Sequence, residues 1–177
     1  MKYAAFLRGI NVGGNNTIKM EKLREVLGSV GFDDVKSYIN SGNVIFKTAK
    51  TSNEKLAAKI AKAVKKDFEL DIAIMVRSIP EIEELLANIP FEKGEGQEIF
   101  AVFLAEKLSD EKEKLLLAHN NPAETFAVYK TDVFCLMDKG FPDSQLGKKF
   151  IDNKLKVAAT ARNIRTVMKI ADLSSSI

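Results

Sequence analysis

The sequence predicts an α+β protein built of two similar βαββ halves, and three observations carry that prediction. The chain up to residue 78 reads strand, helix, strand, strand, helix, strand. After the polar stretch F-E-K-G-E-G-Q at 91–97 the same order restarts. Ala4-Ala5-Phe6-Leu7 falls on Ala101-Val102-Phe103-Leu104 at a constant offset, and Tyr38 and Tyr129 occupy equivalent second strands. A repeated element order with a fixed offset is the mark of a diverged duplication.

Each element follows from its pattern. K-Y-A-A-F-L-R opens as a strand, and after a loop rich in Gly and Asn, Met20, Leu23, Val26, Leu27 and Val30 recur at helical spacing. Val35 to Ile39 and Val44 to Phe46 are β-rich runs separated by N-S-G-N, a hairpin turn. Leu56, Ile60, Val64 and Phe68 mark an amphipathic helix that leads to the strand I-A-I-M-V. This order is the split βαβ of ferredoxin-like folds, with antiparallel sheets and helices on one face. Ile82, Leu85 and Leu86 form a helical connection, Ile99 to Leu104 a strand, and Ser109 the cap of a helix through Leu117. T-F-A-V-Y-K and V-F-C-L-M make a hairpin around Thr131-Asp132. A basic helix from Ala161 to Leu173 closes the chain with Thr160 as its N-cap, the tail Ser174 to Ser176 is expected to fray, and no final strand is evident in the second copy. The expected division is therefore a first subdomain at 1–78, a connection at 79–97 and a second subdomain at 98–177.

Composition excludes several classes. An apolar share of 46% with 29% charged residues is ordinary for a globular protein, and no apolar run reaches the roughly 20 residues that span a bilayer. The single Cys135 cannot form an internal disulfide, and the first residues do not read as a secretory signal. These features lead to the expectation of a soluble, cytoplasmic protein with no membrane partner. Net charge is +3, unevenly spread: a negative middle segment at 78–124 lies between positive flanks. That asymmetry suits a small anionic ligand better than it suits a dedicated nucleic-acid binder.

The chemistry-bearing residues are polar and few. L-R-G-I-N-V-G-G-N-N-T, Leu7 to Thr17, lies between the first strand and first helix. It matches neither the Walker nor the dinucleotide glycine spacing. Even so, glycine N–H groups and a following helix N-terminus can bind an anion, with Arg8 supplying charge. As a plain loop, Gly9, Gly13 and Gly14 would take positive φ, with Asn16 or Thr17 capping the helix. The topology should bring Ser41, Gly42 and Asn43 near Arg8 and Asn11. In A-A-T-A-R-N-I-R-T, Thr160, Arg162, Asn163 and Arg165 form a second candidate, with Arg162, Arg165 and Lys169 on one helical face. The candidate ligand residues are thus Arg8, Asn11, Gly13, Gly14, Asn15, Ser41, Asn43, Thr160, Arg162, Asn163 and Arg165, expected to border one cleft. His119 reads as a helix-end cap and Cys135 as a core side chain. No cofactor and no metal site is expected, and no catalytic set is evident.

These pieces, Tyr3 to Gly14, Met20, Leu23, Y-I-N-S-G-N at 38–43 and T-A-R-N-I-R-T at 160–166, resemble a bacterial domain-of-unknown-function family whose members open with A-F-L-R-G-I-N-V-G-G. The resemblance runs nearly end to end. It implies ferredoxin-like subdomains and no assigned activity. At Ile164 many relatives carry Trp, which argues against a stacking role there. The leading functional expectation is binding of a small anionic, phosphate- or nucleotide-like ligand. The alternative is a nucleic-acid or protein-interaction module without catalysis, although G-N-V-I-F-K lacks the aromatic spacing of RNA-binding sheets.

Overall fold

The structure is a computed structural model that describes residues 1–14, 16–141 and 143–177. It divides into two compact units: Met1–Glu84 with Met168–Ile177, and Leu85–Val167.

In the first unit, β1 (Lys2–Leu7), α1 (Met20–Ser29), β2 (Asp33–Tyr38), β3 (Asn43–Lys47), α2 (Asn53–Phe68) and β4 (Ile74–Ser78) follow in that order. The sheet is β2-β3-β1-β4, antiparallel throughout. β1 is central and apolar from Tyr3 onward, and both of its faces are buried. Tyr3, Ala5 and Leu7 join Val44, Phe46 and Val76 in a core shared with Leu23, Leu27, Leu56, Ile60 and Val64. Ser52 caps α2 by accepting from the Lys55 N–H at 3.3 Å. α1 has no such cap: it starts at Met20 after Lys19, so neither Asn16 nor Thr17 plays the expected part. Ile18 is buried just before it, and the Asn11 side chain satisfies both its N–H and its carbonyl. The core anchor at Ile18 thus moves the helix start beyond the candidate caps.

α3 (Ile79–Ala87) follows β4 directly. Ser78 and Glu81 start it as a capping box, the Ser78 N–H donating to Glu81 Oε2 at 2.7 Å and the Glu81 N–H to Ser78 Oγ at 3.4 Å.

The second unit repeats the order with β5 (Gln97–Leu104), α4 (Asp110–Leu117), β6 (Glu124–Tyr129), β7 (Asp132–Asp138), the one-turn α5 (Phe150–Asn153) and β8 (Ala159–Asn163). Its sheet, β6-β7-β5-β8, has the same antiparallel arrangement as the first. Both halves are therefore ferredoxin-like. The register carries the duplication into detail: Ala4 of β1 faces Arg77 of β4, and Ala101 of β5 faces Arg162 of β8. Each of these arginines is buried, and each donates from Nη1 to the carbonyl before it, at 2.7 Å to Val76 and 2.8 Å to Ala161.

β8 corrects the expectation of a helix from Ala161 and of a missing last strand. Alanine and arginine favour helices, but here Ala159 packs in the core and Ala161 against it while Thr160 and Arg162 lie on the other sheet face. The backbone of β5 needs a partner on that edge, and this outweighs a weak local preference. α6 (Ile164–Ser174) begins only afterwards, and Asn163, not Thr160, caps it: Asn163 Oδ1 accepts from the Arg165 N–H at 3.0 Å. The tail carries hydrogen bonds to the first sheet. Lys2 Nζ donates to the Ser174 carbonyl at 2.7 Å, and Lys36 Nζ to the carbonyl and hydroxyl of Ser176 at 2.8 and 3.0 Å. Cys135 is a buried core residue, and burial together with the nearby Glu124 charge pushes its thiol well above the ordinary range. The His119 ring meets Phe150 edge-on at 4.3 Å. Among the described residues no helix is long and apolar enough to cross a membrane.

Candidate functional site

The loop after β1 is built around one side chain. Asn11 sits at φ 56°, a region that Asn tolerates better than most residues. Its Oδ1 accepts from the Ile18 N–H at 2.8 Å, and its Nδ2 donates to the Ile18 carbonyl at 3.0 Å and to the Asn40 carbonyl at 2.8 Å. The amide thus closes the loop on itself and ties it to the β2–β3 turn. A second tie runs from the Leu7 N–H to the Gly42 carbonyl at 2.8 Å, and Asn16 Nδ2 reaches back to the Gly9 carbonyl at 3.1 Å.

The turn is equally fixed. Gly42 is at φ 79°, and a Cβ there would stand 2.9 Å from Ile10 and from Leu7 Cβ. Asn43 is fully buried; its Nδ2 donates to the Tyr38 carbonyl at 3.2 Å and to Ser41 Oγ at 3.0 Å. The glycine-rich loop and the hairpin turn therefore meet at one end of the first sheet, as the topology predicts. Asn11 and Asn43 spend their amides on backbone and on Ser41, so they position the neighbourhood. Val12, Gly13, Gly14 and Thr17 are exposed, with Arg8 and Ser41 half-buried. Gly13 and Gly14 have positive φ, with open space where a Cβ would be. Asn15 lies outside the described residues.

Thr160, Arg162, Asn163 and Arg165 belong to the second unit. Arg162 does not lie on a helical stripe with Arg165 and Lys169; it is a strand residue, 9% exposed, that donates from Nη1 to Thr160 Oγ1 at 2.7 Å. Burial lowers its guanidinium to about 10. Arg165 is exposed on α6 and pairs with Glu98 at 3.2 Å.

Three polar residues escaped the sequence reading. Arg77 is the first-half counterpart of Arg162, visible only once the register is known. Glu124 is a fully buried carboxylate that accepts from Ser144 Oγ at 2.7 Å and from the N–H groups of Gln145 and Leu146 at 2.7 and 3.1 Å. Glu81 borders a groove of about 310 Å³ beside Tyr3 and Asn53 in the first unit. Its carboxylate already holds Ser78 and both N–H···O bonds from Asn53, so it is spent on the start of α3. For Glu81, the S-x-x-E spacing was the available signal. Among the described residues no three His, Cys, Asp or Glu side chains gather as a metal site.

Two antiparallel β2-β3-β1-β4-type sheets in one chain, the first with a tied glycine-rich loop at its end, define a duplicated ferredoxin-like α+β protein. The chain belongs to the family described as protein of unknown function (DUF1697), which matches residues 1–134. It is similar to the solved structure of a conserved bacterial protein from Streptococcus pneumoniae, with 25% identity, a TM-score of 0.79 and 98% of each chain covered. No curated protein matches the chain.

Proposed function

We propose that the first unit binds a small anionic ligand, phosphate- or nucleotide-like, at the glycine-rich loop and the adjoining turn. Arg8 supplies the charge, the N–H groups of Gly13 and Gly14 accommodate anionic oxygens, and the Ser41 hydroxyl adds a hydrogen bond. The observation that carries the reading is the Asn11 clamp. A loop of exposed glycines would lose much conformational freedom on binding a ligand, and tying it at both ends through one amide removes part of that cost beforehand. Asn11 and Asn43 are positioning residues in this reading.

Isothermal titration with inorganic pyrophosphate tests it. Arg8→Ala should weaken binding by about 1.5 to 3 kcal/mol, the worth of a hydrogen bond to a charged group, with the thermal midpoint little changed. Equal affinity in the wild type and Arg8→Ala would overturn the assignment.

A further inference from the structure

The outer face of α2 is a row of positive charge. Lys55, Lys59, Lys62 and Lys66 recur at intervals of four, three and four residues, so at about 3.6 residues per turn they share one face. All four are exposed. With about 1.5 Å of rise per residue the row is about 16 Å long. An ordinary solvated helix sets acids three or four residues from its lysines. In α2 the acids are Glu54 and Asp67, and neither stands at that distance from any of its lysines. Like charges therefore stack, Lys55 with Lys59, Lys59 with Lys62 and Lys62 with Lys66, at a spacing that destabilises a helix. Among the described residues the ammonium groups of Lys55, Lys62 and Lys66 have no ionic or hydrogen-bonding partner. Lys59 lies over the Phe32 ring at 4.7 Å, a contact that orients it. Other helices are arranged differently: Lys22 of α1 pairs with Glu25, and Lys112 of α4 with Glu106. With five lysines and two acids, α2 alone has a net charge of +3, as much as the whole chain.

We infer that α2 is a docking face for a nucleic-acid duplex, its lysines lying along successive phosphates; this uses none of the residues assigned to the small anionic ligand above. A membrane-binding helix sets Trp, Phe or Leu beside its lysines, whereas on α2 Ala58 is the one residue both apolar and exposed. An unpaired strand is gripped by stacking its bases on aromatic side chains, and the exposed residues of α2 include none. The carboxylates of an acidic protein suit the planar fork of arginine, which the row lacks. Lysine ammonium groups are point charges with rotatable donors, and they suit a run of equivalent phosphates. A duplex offers such a run with its bases stacked inside. Each of its strands advances about 3.4 Å per phosphate, so the row spans about five of them. Contacts of this kind position the protein and read no sequence.

Fluorescence anisotropy of the full chain with mixed-sequence DNA and RNA duplexes of about 20 base pairs tests the inference. With four phosphates contacted, affinity should fall about a hundredfold between about 50 and 200 mM salt, a log–log slope of about −3.6. The triple variant Lys55→Gln, Lys62→Gln, Lys66→Gln should keep a slope of about −1 and lose only about three- to fourfold over that range. Its thermal midpoint should not fall, because the charges removed repel one another, and weaker binding then does not reflect unfolding. A second triple variant, Lys149→Gln, Lys154→Gln, Lys156→Gln, removes the same charge from the second unit and should bind as wild type does. Binding of either duplex with this pattern supports the inference, and the preference between the two identifies DNA or RNA as the source of the phosphates. Equal weakening by the two triple variants would show attraction to net charge alone and overturn the assignment to α2. So would an unchanged slope in the α2 variant, or no duplex binding to wild type at about 50 mM salt. Tighter binding of a single strand of the same length, of polyglutamate or of phosphatidylglycerol vesicles than of either duplex would overturn it in favour of that partner.

Discussion

Removing the Glu124 carboxylate should release the segment from Ser144 to Leu146. Glu124 is 0% exposed and accepts three hydrogen bonds from that segment, two from backbone N–H groups and one from the Ser144 hydroxyl. Glu124→Ala leaves all three donors without their partner. A buried donor so orphaned costs about 1–3 kcal/mol. Gln145 and Leu146 are only half-buried, so water can reach their N–H groups, and the low end applies to each. With a similar amount for the buried Ser144 hydroxyl, the loss is about 3 kcal/mol. Native-state hydrogen exchange reads this locally, since 1.4 kcal/mol is a factor of ten in an opening equilibrium. The Gln145 and Leu146 amides should exchange about a hundredfold faster in Glu124→Ala, while amides of β1 keep their rates. Glu124→Gln keeps one acceptor oxygen and should lie between. Unchanged protection at Gln145 and Leu146 in Glu124→Ala would refute the view that this carboxylate anchors the segment.

Gly42→Ala combines a positive φ with a Cβ 2.9 Å from Ile10 and from Leu7 Cβ, the latter unable to move without its backbone. It should cost about 2–4 kcal/mol by urea denaturation, against about 1 kcal/mol for Gly13→Ala, whose Cβ meets open space; equal costs for the two would show that the turn is not packed as described. Burial pushes the Glu81 carboxyl up, but bonds from Ser78 and Asn53 and the charge of Arg77 outweigh it and hold it below the usual range. A depressed carboxylate stabilises the fold fully above its unfolded value, near pH 4.3, and loses that contribution as pH falls through the folded value. The drop in urea midpoint from pH 7 to pH 3 should therefore be smaller in Glu81→Gln than in wild type, and an identical drop would count against the Ser78–Glu81 capping box as the source.

The sequence by itself determined most of the architecture. Period-2 and period-3.6 apolar patterns are local, and they placed β1 to β7, α1 to α4 and the Ser109 cap, while the restart of the order at Ile99 predicted the duplication. It also drew attention to the loop from Arg8 to Thr17, because glycines and asparagines at such density announce unusual backbone. What it could not determine is where backbone groups find partners. Five residues, Ala159 to Asn163, became a strand because β5 offered an unpaired edge, and no window along A-T-A-R-N contains that information. The same holds for Asn11, whose amide bridges to Ile18 and Asn40, and for Glu124, which accepts N–H groups from residues some twenty positions on. Ile39 reads from sequence as the end of a β-rich run. Only the tertiary structure, by pairing β2 with β3 and tying the turn to the first loop, put that side chain in water at a left-handed φ. Local propensity is written along the chain, whereas hydrogen-bond satisfaction and burial are properties of neighbours brought together by folding.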